Sequence, residues 1–213
     1  EDIGHNISVE VWNSNNTGSV TSTSAVLVQK ALNGENPDAP TLVSKTANSI
    51  TIRHDRTDVE YLCVEAGTTV TGSAVWTTET TFTNLNPNRT YDIYARVKES
   101  ETHKASPASA DKLTVTTELG TADEALQTQL KGAVVVLNRE YNGSYSLPVD
   151  VQGSLPNGWR VEYSKDNVTF STSISSIRDV SESGKYYVKF INDDYKPYVA
   201  DFDVEITPKD ITT

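Results

Sequence analysis

Nucleophilic catalysis requires a Ser, Cys or Thr beside a base, and this chain is poor in bases. Its three histidines, His5, His54 and His103, fall in three different sequence contexts. There is no Gly-x-Ser-x-Gly elbow, no phosphate-binding loop, and no Cys or His spacing suited to zinc. Cys63, the only cysteine, sits on a predicted strand with Val59 and Tyr61 on its face. It reads as a small buried hydrophobe. His54 continues the alternation Ile50-Ile52-His54, facing inward or lying at the rim. It reads as a partly buried histidine with a satisfied hydrogen bond rather than as a pH sensor or metal ligand. Asn192-Asp193-Asp194 and Asp201/Asp203 offer oxygen atoms to a hard cation. Neither matches an EF-hand loop, and they read as a solvated turn and outward strand positions. Nothing marks a cleft between paired carboxylates of the kind that hydrolyses glycosides. The expectation is therefore no enzyme, with no catalytic residue, no metal ligand and no cofactor.

Aromatic rings are the stronger lead, because they stack on sugars and anchor protein interfaces. Trp76, Tyr195 and Tyr198 are the candidate partner-binding residues, the partner being an extracellular glycan or protein. Tyr195 and Tyr198 are expected in a loop with Lys196 and Pro197, and so to be the most exposed. Trp159 alternates with Val161 and Tyr163, which predicts a core position. Trp76 is expected at an inter-sheet rim near Phe82, and Trp12 to pack within the N-terminal unit.

Composition narrows the partners further. The chain has 213 residues, 18 Lys plus Arg against 29 Asp plus Glu, and a net charge of −11. Nucleic acid requires a positive field to displace counterions, so it is excluded as a non-specific partner. Anionic membrane surfaces repel such a chain. No apolar run approaches the roughly 18 residues of a membrane span, so no membrane insertion is expected. One cysteine cannot form an intrachain disulfide, so stability must come from packed cores.

The elements that would position these residues are strands. Ile7-Val9-Val11, Ile50-Ile52, Ile93-Ala95-Val97, Val161-Tyr163, Tyr186-Val188-Phe190 and Phe202-Val204-Ile206 all alternate with period two. That rhythm places apolar side chains on one sheet face and polar ones on the other. Turn clusters separate them at 33–37, Asn86-Pro87-Asn88, Asn142-Gly143, Asn157-Gly158 and 192–194. Short strands with such breaks predict an all-β chain of antiparallel sandwiches. Residues 33–40 have the composition of a linker. One helix is expected at 121–131: Thr121-Ala122-Asp123-Glu124 reads as a capping box, Leu126 and Leu130 are four apart, and Gly132 follows as the stop.

Residues 38–117 carry the strongest local signal. Leu85, Pro87 and Tyr91 give the spacing Leu-x-Pro-x-x-x-Tyr, followed by alternating Tyr91-Ile93-Ala95-Val97. This is the pattern of a tyrosine corner, whose ring fills the edge of the core at a sheet-to-sheet crossover. With Ala39-Pro40 and the strands at 49–52, 59–64 and 112–117, the segment resembles a fibronectin type III domain, closest to the bacterial kind found in tandem on Gram-positive surface proteins. It departs from that family at His54, where a core Trp is usual. The Arg-Gly-Asp tripeptide is absent.

Residues 132–209 read as a second sandwich. The order Tyr141-x-Gly143, Val161-x-Tyr163-Ser164, Gly184-x-Tyr186-x-Val188, then Tyr195 and a closing strand, resembles bacterial Ig-like domains of the MBG type. Residues 2–11 resemble 183–190 with one residue of slip, and each is followed by an Asn-rich turn and another strand. Residues 1–36 are thus expected to hold the last two strands of an upstream Ig-like domain plus linker. The fibronectin-like domain occupies 37–118, the linker with the short helix 119–131, and the MBG-type domain 132–213. The resemblance implies non-catalytic spacer or adhesion modules of a secreted or cell-wall-attached multidomain bacterial protein. The alternative is accessory modules of a large extracellular carbohydrate-active enzyme. Either way the localisation is extracellular, and neighbouring domains of the same polypeptide are among the partners.

Overall fold

The computed structural model describes residues 2–12, 14–15, 18–22 and 25–209. The chain is all-β, with β-sandwiches in tandem and one short α-helix among the described residues. It divides into two units, Glu1–Leu85 with Arg89–Thr117, and Asn86–Asn88 with Glu118–Thr213.

Unit 1 begins with a ribbon of β1 (Asn6–Ile7), β2 (Glu10–Trp12), β3 (Ser19–Thr21) and β4 (Val26–Leu27). β1 pairs β4 and β2 pairs β3, both antiparallel, with Ile7 opposite Val26 and Val11 opposite Val20. The register puts Ile7, Val9, Val11, Val20 and Val26 on one face, and every one of them is exposed. Trp12 is 72% exposed rather than packed as expected, because a two-stranded ribbon has no second sheet to receive the ring.

The sandwich of unit 1 has β5 (Thr41–Lys45), β6 (Ile50–Arg53) and β8 (Thr81–Phe82) in one sheet. The other sheet orders β10 (Leu113–Thr116), β9 (Thr90–Val97) and β7 (Val59–Glu65). Alternation works as the sequence requires. Ile50, Ile52, Val59, Tyr61, Tyr91, Ile93, Ala95 and Val115 form the core, and each is less than a tenth exposed. The edge strand β5 is bulged between Leu42 and Ser44 and ends in Lys45. A bulge and a lysine are devices that discourage edge-to-edge pairing.

Unit 2 contains α1 (Glu124–Gly132), which differs from the expected helix at both ends. The cap is Asp123, whose carboxylate accepts the Leu126 N–H at 2.9 Å, not a box begun by Thr121. Gly132 is the last helical residue and Ala133 caps it. An Asp in extended conformation just ahead of the first turn competes better for the free amides than a Thr two residues further out. Leu130 is fully buried in the second core, so the helix is docked on the sandwich it precedes.

The apolar run 133–137 ends in a break, and residues 134–140 form two strands. β11 (Val134–Val136) pairs antiparallel with β13 (Val149–Val151), and β12 (Asn138–Glu140) crosses to the other sheet. There it runs parallel to β16 (Tyr195–Thr207), so the sandwich is not wholly antiparallel. That sheet orders β12, β16, β15 (Gly184–Asn192) and β14 (Arg160–Ser164). Tyr186, Val188, Phe190, Ala200, Val204 and Ile206 line its inner face against Leu130, Val149 and Ile177.

Candidate functional surface

Trp76 lies in the loop between β7 and β8, beside Thr77. Thr77 is tied to Tyr61 by a backbone pair, its N–H donating to Tyr61 O at 2.9 Å and its carbonyl accepting the Tyr61 N–H at 2.6 Å. The guanidinium of Arg96 stands 4.4 Å from the centre of the Trp76 ring. Arg96 Nε donates to Glu60 at 2.6 Å, and Glu60 and Arg96 are cross-strand partners. A ring, a cation and a carboxylate therefore stack on the outer face of the β7–β9 pair. Trp76 is half-buried, while neighbouring Val75 is 86% exposed.

The same outer face holds Asp92, only 2% exposed. Its carboxylate accepts from Lys112 Nζ and from Thr114 Oγ1, each at 2.7 Å. The Lys112 ammonium, aided by the Thr114 hydroxyl, holds this carboxyl below the ordinary carboxylate range, and burial opposes the shift. Alternation with Tyr91 and Ile93 puts Asp92 on the polar face of β9. The Gly67 backbone, the Thr114 hydroxyl and the long Lys112 side chain gather around it.

Tyr195 and Tyr198 lie on β16, not in a loop, and both are half-buried. The turn before them is tight, with Asn192 opposite Tyr195 and the Asp194 N–H donating to Asn192 Oδ1 at 2.8 Å. The strand therefore starts where a longer loop was expected. Tyr198 stacks on the core ring of Phe190, centroids 5.9 Å apart and planes 19° apart. Tyr195 meets Trp159 at 5.4 Å. Its other neighbour is Gly120, whose segment adds to the sheet in parallel through Gly120 N–Asp194 O at 2.9 Å and Lys196 N–Gly120 O at 2.8 Å. Trp159 packs against the core as a half-buried residue.

Of the tyrosine-corner residues, Tyr91 is 7% exposed in the first core, and Leu85 packs against that core with its N–H donating to Asn48 O at 3.0 Å. Pro87 belongs to unit 2, where its ring stands beside Gly120.

The residues considered for chemistry are engaged locally. His54 is half-buried, with Nε2 3.0 Å from Asp38 O and Nδ1 accepting the Arg56 N–H at 3.0 Å. Cys63 packs against the first core, and burial pushes its thiol up to about 11, which keeps it protonated and unreactive at neutral pH. Lys185 bridges Asp201 at 2.5 Å and Asp203 at 3.3 Å, and Arg160 pairs with Asp193 at 3.0 Å. These acids face cations of the chain itself.

Arg56 is the residue that sequence reading passed over. It forks onto Asp58 at 2.9 and 2.7 Å and reaches Glu35 at 2.6 Å. Asn36 Oδ1 accepts the Ala110 N–H at 3.1 Å. The expected linker at 33–40 is thus fastened to unit 1. The bidentate partner Asp58 is two residues away, but the bond to Glu35 spans 21 residues and has no sequence signature.

No family model matches the chain, and no curated protein matches it. Solved structures similar to it include Drosophila OTK extracellular domains 3–5, at 12% identity over 91% of this chain and 67% of that chain, with a TM-score of 0.38. Another is the chicken CNTN1 FN1–FN3 domains, at 10% identity over 95% of this chain and 78% of that chain, with a TM-score of 0.30.

Proposed function

We propose that the chain is a run of non-catalytic spacer and adhesion modules from a secreted or cell-wall-attached bacterial surface protein. On this reading 37–118 is a fibronectin type III domain of the bacterial kind and 132–213 an MBG-type domain. One observation carries it: the candidate rings Trp76, Tyr195 and Tyr198, and the buried Asp92, are engaged in holding the sandwiches. Trp76 lies under Arg96, Tyr195 against Trp159, Tyr198 on Phe190, and Asp92 on Lys112. The chain is acidic, with a net charge of −11, as suits a spacer held in solvent, and no helix among the described residues is long and apolar enough to cross a membrane.

Residues 1–36 are the closing strands of an upstream Ig-like domain in the same proposal. The exposed aliphatic face of the ribbon supports this. In the corresponding pair β15–β16, the same alternation is sealed beneath an opposing sheet.

Sedimentation of the full parent polypeptide is expected to show the high friction of an extended string of domains, and a compact value would refute the spacer role. A glycan array at millimolar protein is expected to be blank. Specific binding there would replace the spacer reading with that of an accessory carbohydrate module.

A further inference from the structure

The chain contains three Asn-Gly dipeptides, Asn33-Gly34, Asn142-Gly143 and Asn157-Gly158. Glycine lacks a Cβ, so its amide nitrogen can approach the side-chain carbonyl of the preceding Asn. The ensuing reaction is an acyl transfer within the chain. The Gly nitrogen attacks Asn Cγ and loses its proton to water. The oxygen of the tetrahedral intermediate carries the negative charge. The bond from Cγ to the side-chain nitrogen then breaks, and that nitrogen takes up a proton and leaves as ammonia. Solvent water opens the resulting cyclic imide at either carbonyl, yielding Asp or its β-linked isomer. One ammonia leaves, one water enters, and nothing is oxidised or reduced.

The three sites differ in what faces the developing oxyanion. Asn142 Oδ1 accepts two donors, the Arg139 guanidinium through Nη1 and the Ser144 N–H at 3.0 Å. Arg139 Nη2 also donates to Ser144 O, which braces the turn around the reacting atoms. Gly143 has φ +78°, and both Asn142 and Gly143 are exposed to the water that the second step consumes. Asn33 Oδ1 accepts one neutral donor, the Glu35 N–H at 2.9 Å. The Asn157 side chain has no donor among the described residues. Preorganised donors aimed at a developing oxyanion lower the barrier to acyl transfer, and a charged donor does so most.

We propose that the Asn142-Gly143 turn is a self-modifying site, at which Arg139 and the Ser144 N–H serve as the oxyanion hole for imide formation. The carboxylate produced stays beside Arg139 and gains an ion pair, so the modified chain remains folded.

The test is to incubate the whole chain at neutral pH and map all three sites in each sample by peptide mass spectrometry with resolution of the β-linked isomer. In the native protein Asn142 is expected to convert on the order of tenfold faster than Asn157, with Asn33 between them. In denaturant the three rates should converge. Arg139→Gln is expected to bring Asn142 down to the rate of Asn33 and to leave the other two sites unchanged. A native Asn142 no faster than Asn157 would overturn the proposal, as would a rate indifferent to Arg139→Gln in a variant that melts normally. If that variant does not fold, the comparison of native with denatured wild-type chain decides alone: acceleration on folding supports the site, and equal or slower conversion removes it.

Discussion

A methyl group placed on Gly120 would stand 2.7 Å from Cε1 and 2.8 Å from Cδ1 of the Tyr195 ring, with Pro87 Cγ at 3.3 Å behind it. No real Cβ tolerates such distances, so glycine is required here by crowding rather than by backbone angle. The Tyr195 ring in turn leans on Trp159. Gly120→Ala must displace the ring, and overpacking of this kind costs about 2 kcal/mol. Tyr195→Ala loses the ring contact, at about 2–3 kcal/mol. The double variant should be more stable than the sum of the two losses by at least about 1 kcal/mol, because removing the ring makes room for the methyl. Chemical denaturation of the three variants measures this. Strict additivity would mean that the two residues do not press on each other.

Asp92 is the buried half of an ion pair whose other half, Lys112, is nearly half exposed. Asp92→Asn keeps the shape and removes the charge, and should cost about 1–2 kcal/mol, less than a fully buried pair because water reaches the lysine. The sign of the pH dependence follows from the lowered carboxyl. Its contribution is complete above the ordinary carboxylate range and is lost as the pH falls through the lowered value. Melting curves of wild type and Asp92→Asn should therefore converge in acid and separate toward neutrality.

Asp166 organises the turn after β14, accepting the Val168 and Thr169 N–H groups, each at 2.8 Å, and the Ser164 hydroxyl at 2.8 Å. Those bonds, the backbone ones first, lower its carboxyl to about 2. A lowered carboxyl stabilises the fold above its unfolded value and ceases to do so as pH drops through its folded one. The stabilisation should fade between about pH 4 and pH 2. Asp166→Ala should flatten that part of the stability–pH curve in unit 2. An unchanged acid limb would show that the turn holds without the charge.

Trp76→Ala tests whether the ring is a contact for a partner or a cover for the sheet. As a cover it should destabilise unit 1 by about 1–2 kcal/mol, through lost burial and the lost cation–π contact with Arg96. Arg96→Gln should lose part of the same amount. A variant with unchanged melting and reduced affinity for a glycan or protein would instead identify Trp76 as a binding residue.

Local rules carried the strands far. Ile50, Ile52, Ile93, Ala95, Val188 and Phe190 are buried where two-residue alternation placed them, and Leu126 and Leu130 marked a real helix. The rules failed where a distant segment supplies the environment. Asp92 lies on the polar face of its strand by alternation, yet Lys112, Thr114 and the Gly67 backbone enclose it. Tyr195 reads as exposed until the Asn192–Tyr195 turn tightens and Gly120 arrives alongside.

The order of residues along this chain determined the strand faces, the turns and the sandwich class, because alternation and Asn, Gly and Pro breaks act over a few neighbouring residues. Only the folded chain decided which aromatics are occupied, which acids are paired and which asparagine carbonyl faces a guanidinium. The occupied rings and the paired Asp92 depend on groups brought together from separate segments, and the Arg139–Asn142 contact, though only three residues apart, depends on the rotamers that the folded turn selects.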